Sequence, residues 1–256
     1  MKSRHLKSPL ALGAIAFAAM MLAFAGPAAA ATAAFQNGSF LGSSYTPSYP
    51  GAGFETLSSE LDNTTAIPGW TVTSGSVDWI QSYWEAPPGG GNSIDMNGTA
   101  GPNQQNPTAL GVLTQTFATD VHAAYVVGFE LAGNPTQNCG PVIKTLWVSA
   151  ADTPTQPYSA DTWGYSNSDM GWTPQTYSFV ATSDSTTLTF AAATSNKSDC
   201  GAALGDVSVA EIAAATGAQC KNGGWSSMHE PDGTTFKNQG DCVSYYATGG
   251  GTPIGS

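Results

Sequence analysis

The chain has 256 residues, 41% hydrophobic and 10% aromatic, which is enough apolar mass to bury a core and excludes a wholly disordered chain. Seven Lys and Arg stand against 18 Asp and Glu, a formal net charge of −11. So acidic a surface repels phosphate backbones and anionic lipid headgroups, which excludes nucleic acid and argues against binding to anionic membranes.

The chain begins with Lys2, Arg4 and Lys7, runs apolar from Leu10 to about Gly26, and continues as Pro27-Ala28-Ala29-Ala30-Ala31. A positive start, a short apolar stretch and a small-residue cleavage site predict a secretory signal peptide over residues 1–30. The apolar stretch is short for a membrane anchor, and there is no lipobox cysteine. The predicted location is outside the cell, secreted or at the cell surface. Beyond residue 30 there are four lysines, no arginine and all 18 acidic residues, a formal charge of −14. No second apolar run is long enough to span a membrane, so no span is expected in the mature chain.

After the signal, strand-like runs recur between Gly, Pro and Asn turns. They are residues 70–73, 77–80, 93–97, 111–117, 123–131, 142–150, 176–182, 186–192 and 204–212. About nine strands with no amphipathic helix between them predict an all-β sandwich or barrel, and the length suits a two-sheet jelly roll. The expected organisation is a β-sandwich domain over 35–212, a small-residue linker over 213–219 and a cysteine-bounded C-terminal module over 220–256. Four cysteines, Cys139, Cys200, Cys220 and Cys242, in an exported chain imply two disulfides with three connectivities open. The shift in composition between Cys200 and Cys220 favours Cys139–Cys200 and Cys220–Cys242. Their spacing fits no zinc pattern.

Several strings recur in a fixed order: Phe35-Gln36-Asn37-Gly38-Ser39-Phe40, Ile67-Pro68-Gly69-Trp70-Thr71-Val72, Ser76-Val77-Asp78-Trp79-Ile80 and Ile94-Asp95-Met96-Asn97-Gly98. Leu113-Thr114-Gln115-Thr116-Phe117, Tyr125–Gly133 with Asn134-Pro135, Met170-Gly171-Trp172, Tyr177–Thr182 and Gly201–Val209 follow. Together, over residues 35–210, they resemble the bacterial choice-of-anchor C family and related plant cell-wall proteins that carry a domain of unknown function. The resemblance implies a galactose-binding-like jelly roll exposed outside the cell, associated with cell-wall or matrix polysaccharide and without an established catalytic role. Jelly rolls of this type commonly hold a structural Ca²⁺ with an early and a late carboxylate. Here Leu41 and Gly205 stand at those two places, with Asp206 remaining, so no metal and no cofactor are expected. The tail is similar to a short cysteine-bounded module at the ends of other exported bacterial proteins.

Sugars are bound by aromatic faces against their C–H surfaces, with amides and carboxylates on their hydroxyls. Two aromatic groups answer that description. One is Tyr83, Trp84 and Glu85, which follow Trp79 and precede the loop Pro87–Asn92; the other is Trp163, Tyr165 and Trp172 in a stretch rich in Gly, Ser and Asn. Trp70 and Trp79, at strand spacing, are expected in the core. Glu55, Glu60, Asp62, Asp78, Glu85 and Asp95 offer carboxylate pairs of the kind glycosidases use, but 18 acids produce such pairs by chance. His122 and His229 lie in no nucleophile motif, and no phosphate loop or dinucleotide fingerprint is present. The resulting expectation is a non-catalytic protein that binds extracellular polysaccharide. The alternatives are a structural or adhesive protein that binds another protein through its tail, and, third, a polysaccharide hydrolase.

Overall fold

The computed structural model describes residues 34–42, 51–61, 64–99, 110–136, 139–193, 199–212, 217–228 and 234–247, all within one unit spanning residues 32–256. The expected signal peptide, residues 213–216 of the expected linker, His229 and the Gly-rich end lie outside the described residues.

Eleven strands follow one another among the described residues: β1 (Phe54–Ser58), β2 (Thr71–Ser74), β3 (Ser76–Ile80), β4 (Ser93–Asp95), β5 (Val112–Ala118), β6 (Ala124–Gly133), β7 (Ile143–Ala150), β8 (Gln156–Asp161), β9 (Thr173–Val180), β10 (Ser185–Ala192) and β11 (Ala202–Ile212). They form two antiparallel sheets, one in the order β1-β3-β4-β11-β6-β9 and the other β2-β5-β10-β7-β8. Burial alternates along β5, β7 and β10, so each strand turns one face inward; the outward residues are mostly Thr and Ser, with Ile143 and Trp147 exposed on β7. Val72, Leu113, Phe117, Leu146, Phe190 and Leu188 of one sheet meet Leu57, Val77, Ile94, Val127, Leu131 and Phe179 of the other in a single core. The fold is the two-sheet, all-β sandwich that the strand spacing predicts.

Two strands carry no alternating signal in the sequence. β1, Phe-Glu-Thr-Leu-Ser, is covered on both faces and buries even Glu55, so the period of two disappears. β8 holds Pro157 at its second position, which is tolerated because β8 is a sheet edge. The opening segment is pinned rather than paired. The indole N–H of Trp70 donates to the Asn37 carbonyl at 2.9 Å, and that of Trp79 donates to the Phe40 carbonyl at 2.9 Å. Both tryptophans are core residues, as expected, and each still satisfies its one polar atom.

The tail holds a 3-10 turn, Gly224–Ser227, and one short helix, α1 (Gln239–Ala247). Cys220 pairs with Cys242, and Phe236 packs beside them under Tyr245 and Tyr246. So small a core supplies little stability by itself, and the disulfide supplements it.

Candidate carbohydrate site

Three loops meet at one end of the sandwich: 81–92 between β3 and β4, the described residues 134–136 and 139–142 between β6 and β7, and 162–172 between β8 and β9. The first and third are laced together. The Glu85 N–H donates to the Asn167 carbonyl at 2.7 Å, and the Met170 N–H donates to Glu85 Oε2 at 2.8 Å. The indole N–H of Trp172 donates to the Glu85 carbonyl at 3.3 Å. The two aromatic groups named from the sequence therefore belong to one surface, and Glu85 acts as its strut. The middle loop is tied by the Cys139–Cys200 disulfide to the segment that opens β11.

The aromatic residues divide by exposure. Trp84 is only 6% exposed: it packs with Ile80, Ala132, Met170 and Ala203, and its indole N–H donates to Ser93 Oγ at 2.8 Å. Almost all of its ring is covered, so it serves as the floor of the loops and of a neighbouring hollow rather than as an exposed platform. Trp172 is half-buried against the same cluster. Tyr83 is 39% exposed and sits edge-on to Phe54, Tyr165 is 41% exposed, and Trp163 is 81% exposed.

Two hollows open beside these rings. The larger, about 690 Å³, is walled by Trp163, Tyr165, Thr162, Asn134 and Lys144. The smaller, about 210 Å³, is walled by Tyr83, Trp84, Thr99, Asp78, Asp95 and Asp199. Asn134, Thr136 and Cys139 border both, so the hollows adjoin across the middle loop.

Asp78 and Asp95 face each other in register on β3 and β4, both buried. Asp78 accepts hydrogen bonds from the Thr56 hydroxyl at 2.6 Å and from the Thr99 hydroxyl at 2.7 Å. Asp95 accepts from the Asn97 N–H at 3.0 Å, the Gly201 N–H at 2.7 Å and the Asn134 side-chain amide at 2.8 Å. Burial raises the Asp78 carboxyl to about 6 despite its Thr partners. Burial, and then the Asp78 charge, raise Asp95 to about 8 against the pull of its three donors. Lys144 is buried beside them and donates to the Cys139 carbonyl at 2.6 Å; burial lowers its pKa while the Asp95 charge opposes the shift. These bonds clamp the ends of β3, β4, β6 and β11 and the middle loop into one rigid base. Of the carboxylates named from the sequence, Asp78 and Asp95 are the two that the hollows bring together. Their pairing needs the β3–β4 register, and Asn134 and Lys144 need the middle loop, so no sequence motif pointed to either set.

Residues 33–210 match the family described as "Protein of unknown function (DUF642)". The chain belongs to the DUF642 family. Halomucin of Haloquadratum walsbyi (strain DSM 16790 / HBSQ001) is 32% identical over 181 residues, 69% of this chain, which spans about 2% of that protein's length. Among solved structures, "CBM4 structure and function" is 11% identical and covers 69% of this chain and 99% of its own, with a TM-score of 0.36. A family 35 carbohydrate-binding module from Clostridium thermocellum is 14% identical and covers 61% of this chain and 98% of its own, with a TM-score of 0.36. An arabinose-bound GH51 α-L-arabinofuranosidase is 11% identical and covers 70% of this chain and 26% of its own, with a TM-score of 0.43.

At the two places of this DUF642 chain where the sequence resemblance would put a Ca²⁺-binding carboxylate, Leu41 and Gly205 supply no side-chain oxygen. Leu41 points to solvent, and a side chain on Gly205 would meet Pro87. The Gly89 N–H donates to the Asp206 carboxylate, and burial and then the Asp206 charge raise the Glu130 carboxyl. Asp199 with Cys139 and Cys200 lies within metal-binding distance, but both sulfurs are committed to the disulfide.

Proposed function

We propose that this protein is exported and binds extracellular or cell-wall polysaccharide without cleaving it, through the paired hollows at the loop end of the sandwich. The observation that carries this reading is Trp163, 81% exposed, standing with Tyr165 on the wall of a hollow of about 690 Å³. An indole left in water costs apolar hydration unless a partner covers it, and sugar C–H faces are the chemistry that indole and phenol rings cover. The volume lies within the usual range for small-ligand sites, about 300–1,000 Å³. Asn134 and Thr162 supply the polar groups for sugar hydroxyls beside the rings. The resemblance to the choice-of-anchor C family agrees with a surface role. In this reading the disulfide-closed tail is a separate contact, available to a protein partner.

The test is a pull-down of the purified protein on a panel of insoluble polysaccharides, with and without EDTA, with the supernatant assayed for released sugar. Retention that EDTA does not disturb, without sugar release, supports binding without cleavage, and binding of soluble oligosaccharides that is lost in Trp163→Ala assigns it to the hollows. Absence of retention on every polysaccharide moves the weight to a protein partner, checked by deleting residues 220–256. A second reading, hydrolysis, is favoured by one observation: the raised carboxyl pair Asp78 and Asp95 beside a hollow. Its mark would be reducing ends released by the wild type and not by Asp95→Asn.

A further inference from the structure

The outer face of the five-stranded sheet has a composition unlike the rest of the surface. Thr71, Thr114, Thr189 and Ser149 stand in one row across β2, β5, β10 and β7. Thr116 and Thr187 form the next row, their hydroxyls 2.8 Å apart. On the other side of the first row lies Trp147, 39% exposed, opposite Ala191 and Pro157. Neighbouring strands lie about 4.8 Å apart, so the hydroxyls and methyls repeat on a regular grid. Among the described residues, the outward positions of these five strands carry one charge, Asp161 at the far corner of β8, in a chain with 18 acids.

We infer that this face docks onto the flat surface of packed, uncharged polysaccharide chains. Three properties select that partner. A charge-free face loses no ionic hydration when it meets a neutral solid, whereas any of the 18 acids would. Rows of threonine exchange hydrogen bonds with a hydroxyl-covered surface while their methyls and Trp147 cover its C–H planes. A protein partner is disfavoured because serine and threonine are under-represented among the residues that drive protein interfaces. The face also ends at Ile143, paired with Asp161, two residues before Trp163 of the loop hollow. A polymer surface seated on the sheet therefore lies alongside the hollow, although each surface is tested separately.

The purified protein is mixed with crystalline cellulose and crystalline chitin powders, and loss from the supernatant is measured. Soluble oligosaccharides of the same sugars are titrated in parallel. Thr116→Lys with Thr187→Glu places opposite charges opposite each other, a pairing that sheets tolerate, and so keeps the fold while charging the face. Unchanged thermal unfolding of this variant verifies that. The expected result is retention of the wild type on at least one powder, lowered about tenfold or more by the charged pair and several-fold by Trp147→Ala. Trp163→Ala leaves powder retention intact and affects the soluble titration alone. Face-dependent retention without any soluble binding upholds the inference and refutes the reading of the hollow. The inference is overturned if the wild type stays in solution with both powders, or if the charged pair is retained as well as the wild type. Shaping of ice crystals without powder retention overturns it too, and assigns the hydroxyl grid to ice.

Discussion

Replacing Asp95 with asparagine should change how stability depends on pH, because the folded environment of Asp95 strongly disfavours ionisation. Its pKa rises from 3.8 to about 8, through burial and then through the Asp78 charge. An acid with a raised folded pKa holds its proton in the folded chain after the unfolded chain has released it. Its stabilisation is complete below about pH 4 and is lost as pH climbs to about 8. At 1.36 kcal/mol per unit, the loss across that window is on the order of 5 kcal/mol. Asparagine has the shape of the protonated acid and cannot ionise. What remains in the variant is Asp78, raised to about 6, so the decline should end about two units earlier. Lys144, with its lowered pKa, works in the opposite sense, adding stability as pH rises. The assay is urea unfolding of both proteins at half-unit steps from pH 4 to 9 with the disulfides intact. Wild-type stability that climbs between pH 5 and 8, or an identical slope in Asp95→Asn, would refute the account of the buried pair.

The Trp84 side chain fills the floor of the loops, so Trp84→Ala should cost about 3–5 kcal/mol in unfolding free energy and weaken glycan binding only through the loops. Trp163→Ala, by contrast, should leave the thermal midpoint within about a degree or two, because its ring is 81% exposed, while soluble glycan binding falls at least about tenfold. Replacing Cys220 and Cys242 with alanine opens a loop of 22 residues and should destabilise the tail by about 3 kcal/mol, seen as faster proteolysis there with the sandwich melting unchanged. Finally, Gly38→Ala should destabilise by several kcal/mol, since its side chain would strike the Val207 carbonyl, whose residue also donates its N–H to the Gly38 carbonyl at 2.9 Å. A melting temperature equal to that of the wild type would contradict this last expectation.

Local chemistry written along the chain determined a good part of this protein. Alternation in β5 and β10 marks the sandwich, because a half-covered strand must separate apolar from polar residues every second position. The shift in composition before Cys220 paired the cysteines as they are found. The core roles of Trp70 and Trp79 follow from their strand positions. The tertiary structure decided what depends on which strands become neighbours. β1 loses its alternation because both its faces are covered, and β8 breaks a local rule that an edge permits. Tyr83 and Trp84 are adjacent in sequence, yet one ring meets solvent and the other is sealed under Met170, 86 positions along the chain. Asp78 and Asp95 become a proton-holding pair only through the β3–β4 register, and the uncharged threonine rows exist only once β2, β5 and β10 lie side by side. Propensity and periodicity act over a few residues and can be read in order, whereas burial, charge coupling and a surface grid arise between residues far apart in sequence.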